Sequence, residues 1–249
     1  MEISFDPDAE ALQFRTRLEE LAARPAWGPH KIHLRIATPN LRAIVKERSS
    51  VVEAASVEEI GTLVDRLWNG VTYDEMFLAV EILRRRPEAV TRDRMEAWQD
   101  GLDQWGVTDA LASVLRAWVA DDPDQRFGYL EDLASRDAVW PRRLALASTV
   151  LLSREGRAVD RTLALVASVL DDRRRMIVNA VSWALREIVK SEPGRVEAFV
   201  DEHADELPAR VRLEVRNKLR TGRKDGRRGA ALRERFTRAG ERRRKGRDD

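Results

Sequence analysis

The side chains best equipped for chemistry in this sequence are one carboxylate, Asp109, and two tryptophans, Trp105 and Trp183. Over residues 175–190, RMIVNAVSWALREIVK, apolar residues recur at helical spacing. With Ile177 at the origin and about 100° per residue, Val178, Val181, Ala184, Leu185 and Ile188 form an inward stripe. Trp183 falls at about 240° on the same wheel. Arg175, Asn179, Ser182, Arg186 and Lys190 share that outer half. Tryptophan normally buries most of its area, so one on a basic, polar face needs something to stack on.

The segment beginning at Trp105 behaves alike. With Leu111 at the origin, Val107, Val114, Leu115, Trp118 and Val119 gather around it. Asp109 falls at about 160°, beside Ser113 and Arg116. Trp105 lies four residues earlier, one helical turn away. Trp105 and Asp109 can therefore converge outside the core. Blander readings exist. An aspartate near a helix start is favourable against the macrodipole. Either tryptophan could pack on a neighbouring helix. The tryptophans Trp27, Trp68, Trp98 and Trp118 read as core.

Other chemistries are poorly provided for. The chain has no cysteine, which removes thiol nucleophiles, disulfides and cysteine-ligated metals. Of its three histidines, His30 and His33 lie three residues apart and His203 far along the chain. No metal site and no cofactor are expected.

These residues need helices to position them. Of 249 residues, 43% are hydrophobic and 35% charged. That much charge suits an elongated fold with a large surface. Ser56–Glu59 and Thr72–Glu75 read as capping boxes, and Thr38-Pro39 as a cap followed by a first-turn proline. Pro87, Pro123, Pro193 and Pro208 mark turns. No stretch alternates like a half-buried strand. Helix starts recur near residues 38, 72, 106, 139, 174 and 207. This interval holds two helices and a turn, the mark of an all-α solenoid of helical-hairpin repeats with a concave face. One repeat domain is expected over 1–222, and a basic tail, helical and then fraying, over 223–249.

Charge is unevenly spread. From Lys218 to Asp249 there are fourteen basic and five acidic side chains, so this end is strongly positive while the rest of the chain is net negative. A polyanionic partner fits that tail. A merely solvated helical extension fits it as well. No apolar run approaches a membrane span and no secretory signal is visible, so a cytoplasmic protein with no membrane association is expected.

Several segments resemble the AlkD-type DNA alkylation repair glycosylases. QWGVTDALAS (104–113) is similar to that family's Trp-x-x-x-Asp element, and NAVSWALREIVK (179–190) to its Trp-Ala-Leu-Arg-Glu element. WPRRLAL (140–146) resembles its Trp-x-Arg-Arg stretch. ATPNLRAIVKE (37–47) and LWNGVTYDEMFLAVEIL (67–83) resemble its first repeats. The likeness spans roughly residues 30–220. Gly106 departs from it, standing where the family often has a polar or acidic residue.

The resemblance implies HEAT-like repeats holding duplex DNA that contains alkylated purines. It implies Asp109 as the catalytic aspartate, Trp105 and Trp183 as the paired tryptophans, and Arg186 as a backbone contact. Arg143, with its neighbour Arg142, would be a second phosphate contact. Lys190 extends the basic face. The implied reaction is hydrolysis of the N-glycosidic bond of an N3- or N7-alkylated purine by a monomer without cofactor. Two other readings stand beside it. One is a non-catalytic repeat protein binding bent or branched DNA. The other is a protein–protein scaffold.

Overall fold

A computed structural model of the chain describes residues 5–225. The described residues form thirteen α-helices, a single 3₁₀ turn (Pro87–Ala89) and one small hairpin. The helices are α1 (Pro7–Leu21), α2 (Thr38–Glu47), α3 (Ser49–Ala54), α4 (Val57–Trp68), α5 (Tyr73–Arg85), α6 (Arg92–Asp100) and α7 (Trp105–Asp121). They continue with α8 (Pro123–Ser135), α9 (Val139–Arg154), α10 (Val159–Ala167), α11 (Arg175–Ile188), α12 (Pro193–Glu202) and α13 (Ala209–Thr221). None is long and apolar enough to cross a membrane.

Local sequence explains most boundaries. Both predicted capping boxes form: Ser56 with Glu59 opens α4, and Thr72 with Glu75 opens α5. Proline sits in the first turn of α8 and of α12, where a missing N–H costs nothing. At α13 the helix closes on Gly222, whose φ of 68° is open to glycine. One cap differs from expectation. Ala37, not Thr38, is the N-cap of α2, and no side chain caps that end.

The described residues fold as two compact units that divide between Ser148 and Thr149, inside α9. In the first, α1, α4 and α6 pack in one row and α2, α5 and α7 in a second. Each hairpin lays an apolar stripe on its neighbours. Ile60, Leu63, Val64 and Leu67 of α4 are fully buried, as are Met76, Leu78, Ile82 and Leu83 of α5. Trp68 and Trp98 lie in this core, where Trp68 Nε1 donates to the Trp98 carbonyl at 2.9 Å and Trp98 Nε1 to Asp65 at 2.7 Å. In the second unit, α11 packs on α10, α12 and α13. Helices α2, α5, α7, α9, α11 and α13 start at Thr38, Tyr73, Trp105, Val139, Arg175 and Ala209, within two residues of the predicted starts.

Polar bridges join neighbouring helices within each unit. Arg42 of α2 meets Glu81 of α5 at 3.4 Å. Arg84 of α5 donates twice to Ser113 Oγ of α7, at 3.0 and 2.8 Å. In the second unit Ser182 of α11 donates to Glu214 of α13 at 2.5 Å.

Three expectations are corrected. A two-residue strand β1 (Ala26–Trp27) pairs antiparallel with β2 (Ile32–His33), although no strand was expected. Pro25, Gly28 and Pro29 forbid a helix there, and strands this short carry no readable alternation. Trp27 is not core but 83% exposed on that hairpin. Ser182 is buried rather than on the outer half of its helix, because α13 covers it with Glu214. The tail expected over 223–249 lies, from residue 226 onward, outside the described residues.

Candidate active site

The site is built on the first two turns of α7. Gln104 caps the helix by accepting from the Gly106 amide at 2.8 Å. A Cβ on residue 106 would stand 2.9 Å from Gln104 Oε1 and 3.4 Å from Phe77, so glycine here is what lets the glutamine fold over the helix end. Trp105 is the first helical residue and is 60% exposed. One turn on, Asp109 keeps 20% of its side chain accessible while Val107, Thr108 and Leu111 are buried around it. The first turn of α7 holds no acidic residue, so Asp109 lies beyond the reach of the helix dipole.

Asp109 is held by Arg143 of α9. Nε donates to Oδ1 at 2.9 Å and Nη2 to Oδ2 at 2.7 Å, a two-pronged pair. Arg143 itself is only 6% exposed. Burial pushes the Asp109 carboxyl above the ordinary aspartate value, while the hydrogen bonds and charge of Arg143 pull it down; burial prevails. A carboxylate has about four lone-pair sites, so two bonds from Arg143 leave acceptor capacity for a water or substrate group. The remaining exposed fraction gives the route.

The other predicted residues are placed as follows. Arg142 Nε donates to the carbonyls of Ala134 and Arg136, each at 3.0 Å, tying α9 to the end of α8. Trp183, Arg186 and Lys190 belong to the second unit. Trp183 is half-buried on α11. Arg186 Nε donates to the Ser182 carbonyl at 3.0 Å and to Ser182 Oγ at 3.2 Å, with Glu214 at 3.9 Å. Burial lowers the Arg186 pKa, opposed by Glu214 and Glu187. Lys190, one helical turn along, pairs with Glu187. Among the described residues, no group of three metal-ligating side chains is gathered.

The pairing of Asp109 with Arg143 is absent from the sequence reading, which gave the arginine a phosphate. A signal for it existed. The two residues are 34 apart, one repeat length, and equivalent positions on successive helices of a solenoid are neighbours. Ser182 and Glu214, 32 apart, obey the same rule and were likewise not anticipated.

Comparison with known proteins is consistent with this architecture. The family described as DNA alkylation repair enzyme matches residues 30–219. A predicted DNA alkylation repair enzyme from Enterococcus faecalis superposes with a TM-score of 0.63 at 16% identity, covering 81% of this chain and 91% of that one. AlkD2 from Streptococcus mutans gives 0.60 at 13% identity, covering 79% and 89%. At these identities the likeness shows a shared fold. No curated protein matches the sequence.

Proposed function

Because the chain belongs to the DNA alkylation repair enzyme family, we propose that it is a DNA glycosylase that hydrolyses the N-glycosidic bond of N3- or N7-alkylated purines in duplex DNA. The observation that carries the reading is Asp109: a partly exposed carboxylate, gripped at both oxygens by a buried arginine, one turn from an exposed tryptophan.

An N3- or N7-alkylated purine is already cationic, so it leaves without a general acid. That fits a site built on a carboxylate. As the bond breaks, positive charge grows on the deoxyribose. Asp109 stabilises it electrostatically and orients the attacking water. Its placement needs no rearrangement during the reaction, because Arg143 has already fixed it. Trp105 offers an open ring face to the sugar. Trp183 supplies the second tryptophan of the family's set. Arg143 acts mainly as the residue that positions Asp109. Arg142, Arg186 and Lys190 serve phosphates, fixing register without reading sequence.

The test is release of free base from methylated duplex DNA under single-turnover conditions. Wild type should release 7-methylguanine or 3-methyladenine. Asp109→Asn should be slower by about a hundredfold or more while still binding DNA. Equal rates would remove Asp109 from the chemistry. DNA binding by both, with base release by neither, would instead favour a non-catalytic binder of distorted DNA, in which Asp109 and Arg143 form a structural ion pair.

A further inference from the structure

The hairpin β1–β2 carries a tryptophan that the site above does not use. Trp27 precedes the residues matched by the family and is 83% exposed, more than any other large apolar residue described. A tryptophan left in water forgoes most of the stabilisation that burial would give it. The backbone beneath it is nonetheless held at many points. The Gly28 amide donates to the Lys31 carbonyl at 2.8 Å, and that of Ile32 to the Val71 carbonyl at 3.1 Å. The buried carboxylate of Asp74 accepts the amides of Leu34 at 2.7 Å and Ile36 at 3.2 Å. The His33 ring stacks on Tyr73 at 4.2 Å. Trp27 pairs with Ile32 across the hairpin, so by strand alternation it stands on the face opposite His33. This is a rigid platform, not a loose end.

Its surroundings are basic. No Asp or Glu occurs between Glu20 and Glu47, although the chain has 43 acidic residues. Within that run Arg24, His30 and Arg35 are exposed, and none forms an ion pair with a described residue. Most arginines of the first unit are paired, so Arg24 and Arg35, which flank the hairpin in sequence, stand out as exposed cations without an ion pair to a described residue.

The platform is continuous with the candidate site. The His30 amide donates to Tyr73 Oη at 3.3 Å, and Tyr73 Oη donates to Asp103 at 2.6 Å. Asp103 is followed by Gln104, the cap of α7, and then by Trp105. The hairpin therefore stands at the end of the first unit where Trp105 opens its helix.

We propose that the Ala26–His33 hairpin is a second DNA contact, in which Trp27 stacks on a base or sugar exposed at a distorted step while Arg24, His30 and Arg35 meet flanking phosphates. The inference rests on the reading that the chain acts on DNA. Stacking on aromatic side chains is tolerant of sequence and suits a surface that meets many sites. Charge decides the partner: an apolar protein surface would not call for open cations without a single neighbouring acid in the run.

The test is fluorescence anisotropy of labelled duplexes, one undamaged and one with a tetrahydrofuran abasic site, titrated with full-length protein at several salt concentrations. Trp27→Ala should weaken binding to the abasic duplex by about fivefold to a hundredfold, the range of one lost base stack. Trp27→Phe should recover most of the loss. Arg24→Gln with Arg35→Gln should flatten the slope of log affinity against log salt by about two, one phosphate each. If wild type binds and Trp27→Ala binds within about twofold at an unchanged slope, the hairpin contact is wrong and the repair reading survives. A change in self-association by sedimentation, with DNA affinity unchanged, would assign the surface to a second copy and overturn the proposal. If wild type binds neither duplex, both readings fall together.

Discussion

Asp109 owes its position to an arginine one repeat away, and its ionisation to the balance between that arginine and burial. Burial raises the carboxyl pKa, so the charged form that the proposed chemistry requires is lost at a higher pH than for an exposed aspartate. The rate of base release should therefore fall toward acid through a limb displaced upward from the ordinary aspartate range. Arg143→Gln removes the opposing pull. The sign follows directly: the limb should move further toward neutral pH, and the rate at neutral pH should drop. Single-turnover rates of both proteins across pH measure this. Coincident limbs would mean that Arg143 does not set the charge on Asp109. In the sequence, helical phase put Asp109 and Trp105 outside the core, and the family resemblance implied their roles. Phase by itself does not mark the arginine's partner; that takes the repeat interval, which sets residues 34 apart on neighbouring helices.

At the scale of elements, the bridges between successive helices link residues one repeat apart. Glu214 shows how much rests on one of them. It accepts from Ser182 of α11 at 2.5 Å and from Arg210 Nε at 2.9 Å, with Arg186 at 3.9 Å. Burial alone would raise its pKa, but the Ser182 hydroxyl, Arg210 and Lys224 together hold it below the ordinary glutamate value. A depressed folded value means stability that is present above the unfolded pKa and lost as pH falls through the folded one. Glu214→Ala should lower Tm at neutral pH, with a loss of about 1–3 kcal/mol from the orphaned hydroxyl and guanidinium. The same substitution should reduce the loss of stability on acidification. Thermal melts of both proteins at neutral and acid pH decide it, and an unchanged melt would show that α11 and α13 hold together by apolar packing alone. The helices and most of their caps were legible because capping boxes and first-turn prolines act within four residues. The hairpin was not, since two-residue strands are specified by Asp74, Tyr73 and Val71, some forty residues away.

Over the whole molecule, charge is the quantity that bears on function. The stretch from Lys218 to Asp249 is rich in basic residues and the remainder is net negative. Affinity for DNA should then be steeply salt-dependent and should draw much of that dependence from the C-terminal end. A chain ending at Asp225 should show a shallower slope of log affinity against log salt, with the rate of base release at saturation unchanged. Equilibrium titrations at graded salt measure the slope. An unaltered slope would assign the phosphate contacts to the repeats.

The sequence by itself determined the helical period, the repeat interval, most of the capping and which face of each helix is apolar. All of these are local or periodic, and so can be read along the chain. Tertiary structure decided what met across the repeats: Arg143 on Asp109, Glu214 on Ser182, and a solvent-facing Trp27 where composition placed a core residue. Each depends on which side chains the stacking brings opposite one another. A tryptophan is buried only where a neighbouring element supplies a surface, and a carboxylate is clamped only where the next helix presents a guanidinium at the same height.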